Sequence, residues 1–202
     1  MKCLVGRKSI DFTAPSVLSD GSIVKDFNLF KHIEGKNCLL FFYPMDFTFV
    51  CPSELIALNN RLDSFKKLNV EIVSVSVDSE YVHNAWRNSP LEFGGIGKTI
   101  SYTMVSDIKK KIITDYGVED DITGVAYRGS YLIDRNKIIR VQQINDFPIG
   151  RNIDEIIRLF ESIIFHEKNG NVCQAGWISG DSGIVPNSNG ILNFLSSKSN
   201  NL

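Results

Sequence analysis

The chain has 202 residues, enough for one domain with a terminal extension, and its 43% hydrophobic and 22% charged content suits a globular protein with a sizeable core. Its 22 basic and 23 acidic residues give a formal charge of −1, with no basic block or aromatic-interleaved stripe to follow a phosphate backbone, so nucleic acid is excluded as a partner. The opening residues, Met1 to Arg7, lack the apolar run of about seven residues that a secretory signal needs, and no stretch reaches the roughly 18 of a membrane span; the chain reads as cytoplasmic, with no membrane partner.

In chain order, residues 9–35 carry short extended signals with turns at Asp20-Gly21 and Glu34-Gly35, an N-terminal hairpin. An apolar run from Cys38 to Tyr43 predicts a strand ended by Pro44, and a turn through Asp46 and Thr48 follows. Leu55, Leu58, Leu62, Phe65 and Leu68 then recur at spacings of three and four, which predicts a helix opening near Cys51. Two capping registers are open: Thr48 at the N-cap with Cys51 third in the helix, or Cys51 at the cap with Pro52 first and Glu54 third. Val70 to Val77 alternates as a strand, which completes a βαβ unit with parallel pairing.

Glu80 to Asn88 predicts a short helix, with Trp86 packed and His83 structural rather than a general base. Gly94 to Gly97 reads as a flexible loop, Thr103 to Ser106 as a strand, and an Asp107-capped helix runs toward Tyr116 and Gly117. Tyr127 to Ile133 and Ile138 to Ile144 form a hairpin across Asp134-Arg-Asn-Lys137, and the isoleucine and phenylalanine spacing from Ile153 to Ile164 marks an amphipathic helix. Past Gly170 the sequence turns polar and Gly/Ser/Asn-rich, with a break at Pro186 and a final helix near Ile191 to Lys198. These patterns give an α/β chain, divided into a main domain of residues 1–165 and a C-terminal arm of 166–202.

The four cysteines, Cys3, Cys38, Cys51 and Cys173, lie far apart, with no C-x-x-C pair and no histidine at zinc-ligand spacing. No metal, flavin or haem is implied. Cys3 and Cys38 read as unremarkable or packed thiols. In the first turn of a helix Cys51 would meet unpaired N–H groups and the positive end of the dipole, which favour thiolate over thiol; its bland alternative is a buried cysteine acting as a small hydrophobe.

Pro44, Thr48 and Cys51 stand in a P-x-x-x-T-x-x-C pattern within Phe41-Phe-Tyr-Pro-Met-Asp-Phe-Thr-Phe-Val-Cys-Pro-Ser-Glu54. Further strings follow in order: Val77-Asp78-Ser79, His83-Asn-Ala-Trp86, Gly94-Gly-Ile-Gly97, Tyr127-Arg128-Gly129, Ile133-Asp134, Asn145-Asp146, Gly150-Arg151, Val172-Cys173 and Ala175-Gly-Trp177. Over nearly its whole length the chain resembles the typical 2-Cys peroxiredoxins. The resemblance implies a thioredoxin-like fold and a thiol-dependent peroxidase acting on hydrogen peroxide and alkyl hydroperoxides. It makes Cys51 the peroxidatic nucleophile, Cys173 the resolving cysteine of an intersubunit disulfide, Thr48 and Pro44 pocket residues, Arg128 the cation that keeps the thiolate ionised, and Glu54 and Arg151 supporting residues. It also implies a thioredoxin or flavoprotein reductase as electron donor, a homodimer assembling to a decamer, and a secondary holdase or redox-relay role. Two positions depart from the family: Gln174 stands where proline is frequent, and Asn193-Phe194 stands where overoxidation-sensitive members carry Tyr-Phe. The second departure implies ready unwinding of the Cys51 helix and slow sulfinic acid formation.

Overall fold

The structure is a computed structural model that describes residues 2–97 and 100–199. Its described residues form one seven-stranded mixed sheet and seven α-helices. The N-terminal hairpin is present as β1 (Thr13–Val17) and β2 (Ile23–Asn28), antiparallel, with the turn at Asp20-Gly21. A four-residue helix, α1 (Leu29–His32), follows. It is too short to leave a helical period in the sequence.

β3 (Asn37–Phe42) is buried at every residue, as its unbroken apolar run demands. Next come α2 (Cys51–Asn60) and α3 (Leu62–Lys67), two helices where the leucine spacing predicts one, because the backbone leaves helical geometry at Arg61 (φ −110°, ψ 12°). The apolar stripe survives the break, with Leu55, Leu58 and Phe65 buried. β4 (Val70–Ser76) then pairs parallel to β3 over six residues, from Asn37 opposite Val70 to Phe42 opposite Val75.

α4 (Glu80–Asn88) starts at Ser79, whose side chain accepts the Val82 N–H. A 3-10 turn at Leu91–Phe93 leads into the glycine loop, where Gly94 sits at φ +75° and its carbonyl accepts the indole N–H of Trp86 at 2.9 Å. β5 (Thr103–Ser106) pairs with β4 and β1. In α5 (Lys111–Tyr116) the cap position belongs to Lys110 rather than Asp107, yet the Asp107 carboxylate still accepts the Ile113 N–H at 2.8 Å. β6 (Arg128–Ile133) and β7 (Ile139–Asn145) make the predicted hairpin, and the sheet order is β2-β1-β5-β4-β3-β6-β7.

Leu40, Phe42, Val73, Val75, Tyr131 and Ile133 face one side of the sheet and pack into the main core with Ile113 and Tyr116. Phe42, Tyr116 and Tyr131 form a triad of rings with centroids 5.1–5.4 Å apart. Cys38 is sealed in this core, and burial pushes its thiol well up.

The chain divides into compact units Met1–Ile153 and Asp154–Leu202. α6 (Ile153–Asn169) thus falls almost wholly with the arm that the sequence reading starts at residue 166. Residues after Asn169 fold back on α6: the Cys173 thiol reaches the Ser162 carbonyl at 3.6 Å, Trp177 packs on Phe165 with centroids 4.9 Å apart, and His166 Nδ1 meets the Asn171 carbonyl at 2.9 Å. α7 (Ser188–Lys198) closes the unit, with the Asn187 side chain accepting the Gly190 N–H. Among the described residues no helix is long and apolar enough to cross a membrane.

Removing the central ring of the triad tests this core. Phe42→Ala is expected to lower stability by about 3–5 kcal/mol, read as a lower midpoint in denaturant unfolding; an unchanged midpoint would contradict the packing.

Candidate active site

Sheet topology brings distant residues to one place. β3 ends at Phe42, and the chain turns through Pro44 and Thr48 into α2. β6 runs antiparallel beside β3, with Ser130 opposite Phe41, so its first residue, Arg128, stands beyond the same end of β3. β7 returns with Asn145 opposite Arg128, and the loop that follows carries Phe147 and Arg151 back to that end.

Neither capping register holds. Val50 occupies the N-cap with helical angles (φ −86°, ψ −34°) and no side-chain cap, and Cys51 is the first helical residue. The reason is local. Thr48 donates its hydroxyl to the Met45 carbonyl at 2.8 Å, within the loop, so it is not spent on the helix. Cys51 itself has no exposed surface.

Arg128 Nη1 donates to Cys51 Sγ at 3.5 Å and to Glu54 Oε2 at 2.9 Å, while its Nε donates to the Phe147 carbonyl at 2.6 Å. Glu54 also takes three N–H groups from Arg151: the backbone N–H at 2.8 Å, and Nε and Nη2 at 2.9 Å each. Arg151 Nη1 reaches the Gly129 carbonyl at 2.7 Å, and its guanidinium carbon lies 3.2 Å from the Phe41 ring centroid. Glu54, Arg128 and Arg151 are all buried. Two guanidinium charges against one carboxylate leave one positive charge in excess, and Cys51 sulfur is a contact of Arg128. That excess charge lies beside the Cys51 sulfur. Gly129 is needed beside Arg128, because a Cβ there would come within 2.7 Å of Val118 Cγ2.

Pro44, Thr48 and Arg128 line one cavity of about 650 Å3, walled otherwise by Thr123 and by apolar side chains including Met45, Phe49 and Val50. A second cavity, about 500 Å3, is lined by Asp20, His32 and Lys66 among others.

One further group was not legible from spacing. His83, which the sequence marks only as structural, is buried with Nδ1 at 2.8 Å from Asp46 Oδ2 and Nε2 at 3.1 Å from the Val105 carbonyl. Burial pushes His83 down, but the Asp46 hydrogen bond and charge outweigh it and raise the imidazole above its ordinary value. Asp46 also accepts the Tyr43 hydroxyl at 2.6 Å, and its N–H donates to Asp78 at 2.8 Å. This pins the loop between Pro44 and Cys51. Asp46, Asp78 and His83 offer ligand atoms within 4.8 Å of one another, but these atoms are taken up by the hydrogen bonds just described.

Residues 5–142 match the AhpC/TSA family. The chain is a peroxiredoxin of that family. It is 50% identical over 192 residues to alkyl hydroperoxide reductase C of Buchnera aphidicola (subspecies Baizongia pistaciae), covering 95% of this chain and 96% of that protein. Peroxiredoxin-1 of Gallus gallus is 48% identical, covering 92% of each. Among solved structures, reduced 2-Cys peroxiredoxin of Plasmodium vivax superposes with a TM-score of 0.92 at 45% identity, over 97% of this chain and all of that one. The fold of this peroxiredoxin is therefore the thioredoxin-like α/β fold, with the sheet and helices described above.

The buried ion set should be visible in acid. Burial pushes Glu54 up, but the Arg151 hydrogen bonds and charge, backed by Arg128, more than offset it and hold the carboxyl below its ordinary value of 4.5. The unfolded peroxiredoxin therefore takes up this proton first as pH falls, so the contribution is full above about 4.5 and is lost as pH drops through the lower native value. Glu54→Gln is expected to cost about 3–5 kcal/mol at neutral pH, since two buried cations lose their partner, and to flatten the acid loss of stability. Parallel acid profiles for variant and wild type in chemical unfolding would contradict this.

Proposed function

We propose that this peroxiredoxin reduces hydrogen peroxide and alkyl hydroperoxides with Cys51 as nucleophile. The observation that carries the reading is the Arg128 contact to Cys51 sulfur, at 3.5 Å, by an arginine that also lines a cavity shared with Pro44 and Thr48. A peroxide O–O bond is weak, so the site needs a thiolate in line with it and donors for the departing oxygen. Thr48, whose hydroxyl hydrogen points to Met45, is left to accept the peroxide's own O–H. Arg128 donates toward the departing oxygen, and Pro44 walls the pocket without a competing N–H.

The sulfur lone pair attacks the terminal peroxide oxygen, the O–O bond breaks, and the leaving oxygen takes a proton to depart as water or an alcohol. Cys51 becomes a sulfenic acid. Cys173 then attacks it and water leaves, giving a Cys51–Cys173 disulfide between subunits of a homodimer. Cys51 is sealed at the head of α2, so the first turn must unwind before another sulfur can reach it. That turn has no side-chain N-cap, and its Glu54 N–H meets the Val50 carbonyl at a long 3.3 Å. Burial pushes the Cys173 thiol up, and the Ser162 hydrogen bond and then Arg158 pull it back in part.

A dithiol donor, thioredoxin or a flavoprotein reductase, returns both cysteines to thiols, and the cycle belongs in a reducing compartment such as the cytoplasm. Assembly of dimers into a decamer would cover apolar side chains that the single chain leaves bare, among them Phe49, Ile122 and Phe93 at 98%, 93% and 74% exposure.

Cys51→Ser is expected to abolish peroxide consumption with dithiothreitol as reductant, whereas Cys173→Ser keeps the first turnover and loses the dimer-sized band on a non-reducing gel. Peroxide turnover by Cys51→Ser would refute the reading. With Asn193 in α7, wild-type Cys51 is also expected to resist sulfinic acid formation during turnover; early accumulation of the sulfinic form in peptide mass spectra would contradict that expectation.

A further inference from the structure

The cavity lined by Thr48 and by Arg128, the arginine that contacts the Cys51 sulfur, is far larger than hydrogen peroxide requires. A water molecule takes about 30 Å3 of liquid volume, and hydrogen peroxide adds one oxygen to that, whereas the cavity measures about 650 Å3. Its polar groups are few, with Thr48 and Arg128 at the reacting end and Thr123 in the wall, while Met45, Phe49, Val50, Val125, Phe147 and Pro148 supply an apolar surface. Such a site offers one end that binds an O–OH group and a wall that gains only from an organic tail.

Within that wall one side chain is fixed in place. The Phe147 ring stacks on Tyr127 with centroids 4.8 Å apart and 18° between planes. Tyr127 in turn donates its hydroxyl to Asp120 Oδ1 at 2.9 Å, and Asp120 Oδ2 accepts the Thr123 N–H at 3.0 Å and hydroxyl at 2.6 Å. The Phe147 backbone is held as well, because its carbonyl accepts Arg128 Nε at 2.6 Å. Ring and reacting end are thus tied to one frame. Phe49, by contrast, is almost fully exposed.

We propose that Phe147 is a specificity-determining residue, its ring seating the organic portion of a hydroperoxide while Arg128 and Thr48 hold the O–OH group. The assignment rests on the peroxidase reading of Cys51. A held ring provides apolar contact at little ordering cost, so the advantage falls on bulky hydroperoxides and leaves hydrogen peroxide untouched.

The test compares kcat/KM for cumene hydroperoxide and hydrogen peroxide in the full-length reduced protein. Phe147→Ala is expected to lower the cumene-to-hydrogen-peroxide ratio by about tenfold, the scale on which small apolar differences discriminate substrates. Phe147→Leu, which keeps an apolar side chain, is expected to fall between. A ratio unchanged in both variants, or equal losses with the two peroxides, would overturn the assignment, since a purely structural defect moves both rates together. Wild-type protein whose Cys51 remains a thiol with either peroxide would instead refute the peroxidase reading itself.

Discussion

The site depends on a charge imbalance enclosed in protein. Arg128 and Arg151 share the single carboxylate of Glu54, and all three are buried. Removing such charges from water costs several kcal/mol per ion, which the many short hydrogen bonds to Glu54 and to backbone carbonyls offset. What they leave is one net positive charge beside one sulfur. A histidine at the Arg128 position could relieve the imbalance by losing its proton, but a guanidinium cannot. That charge lies against the Cys51 sulfur.

That arrangement follows from the order of strands. The β3–α2 junction places Cys51 at the sheet end where β3 stops, and β6, antiparallel to β3, begins at the same end. The β6–β7 hairpin then supplies the carbonyl of Phe147 and the side chain of Arg151 from the loop after β7. On the opposite flank the His83–Asp46 pair fixes the loop between Pro44 and Cys51 from α4. Cys51 and Glu54 come from α2, Arg128 from β6 and Arg151 from the loop after β7, so the precision of the site comes from the sheet register rather than from any one loop.

How much of this was legible in the sequence varied with the range of the interaction. β3, α2 and the hairpins were readable because apolar runs, three-and-four spacing and turn residues are local signals. The break at Arg61 was hidden, since the leucine stripe continues across it, and α1 was too short to show a period. The helix start was placed on either side of its true cap, because Thr48 and Cys51 have suitable side chains while Val50, which has none, holds the position. Arg128 illustrates the limit best. From spacing alone an arginine in a strand reads as facing solvent or an acidic neighbour, and only the family pattern tied it to Cys51; the structure shows the acidic neighbour, Glu54, and a register with β3 that no local signal encodes. The roles of Asp46 and Phe147 depend on partners 37 and 19 residues away and left no signal at all.

The four cysteines show how environment, not residue type, sorts the thiols. Cys38 lies in the main core, where burial opposes ionisation, and Cys3 is exposed without a charged contact to Sγ among the hydrogen bonds and ion pairs described. Cys173 lies against α6 with its thiol pushed up. Cys51 alone touches a buried guanidinium. The most direct test of this account is to give the fully reduced protein one equivalent of hydrogen peroxide, alkylate the remaining thiols after unfolding, and map each cysteine by peptide mass spectrometry. The account predicts that Cys51 and Cys173 disappear together from the thiol pool while Cys3 and Cys38 stay fully alkylated. Oxidation of Cys3 or Cys38 with Cys51 still a thiol would contradict it.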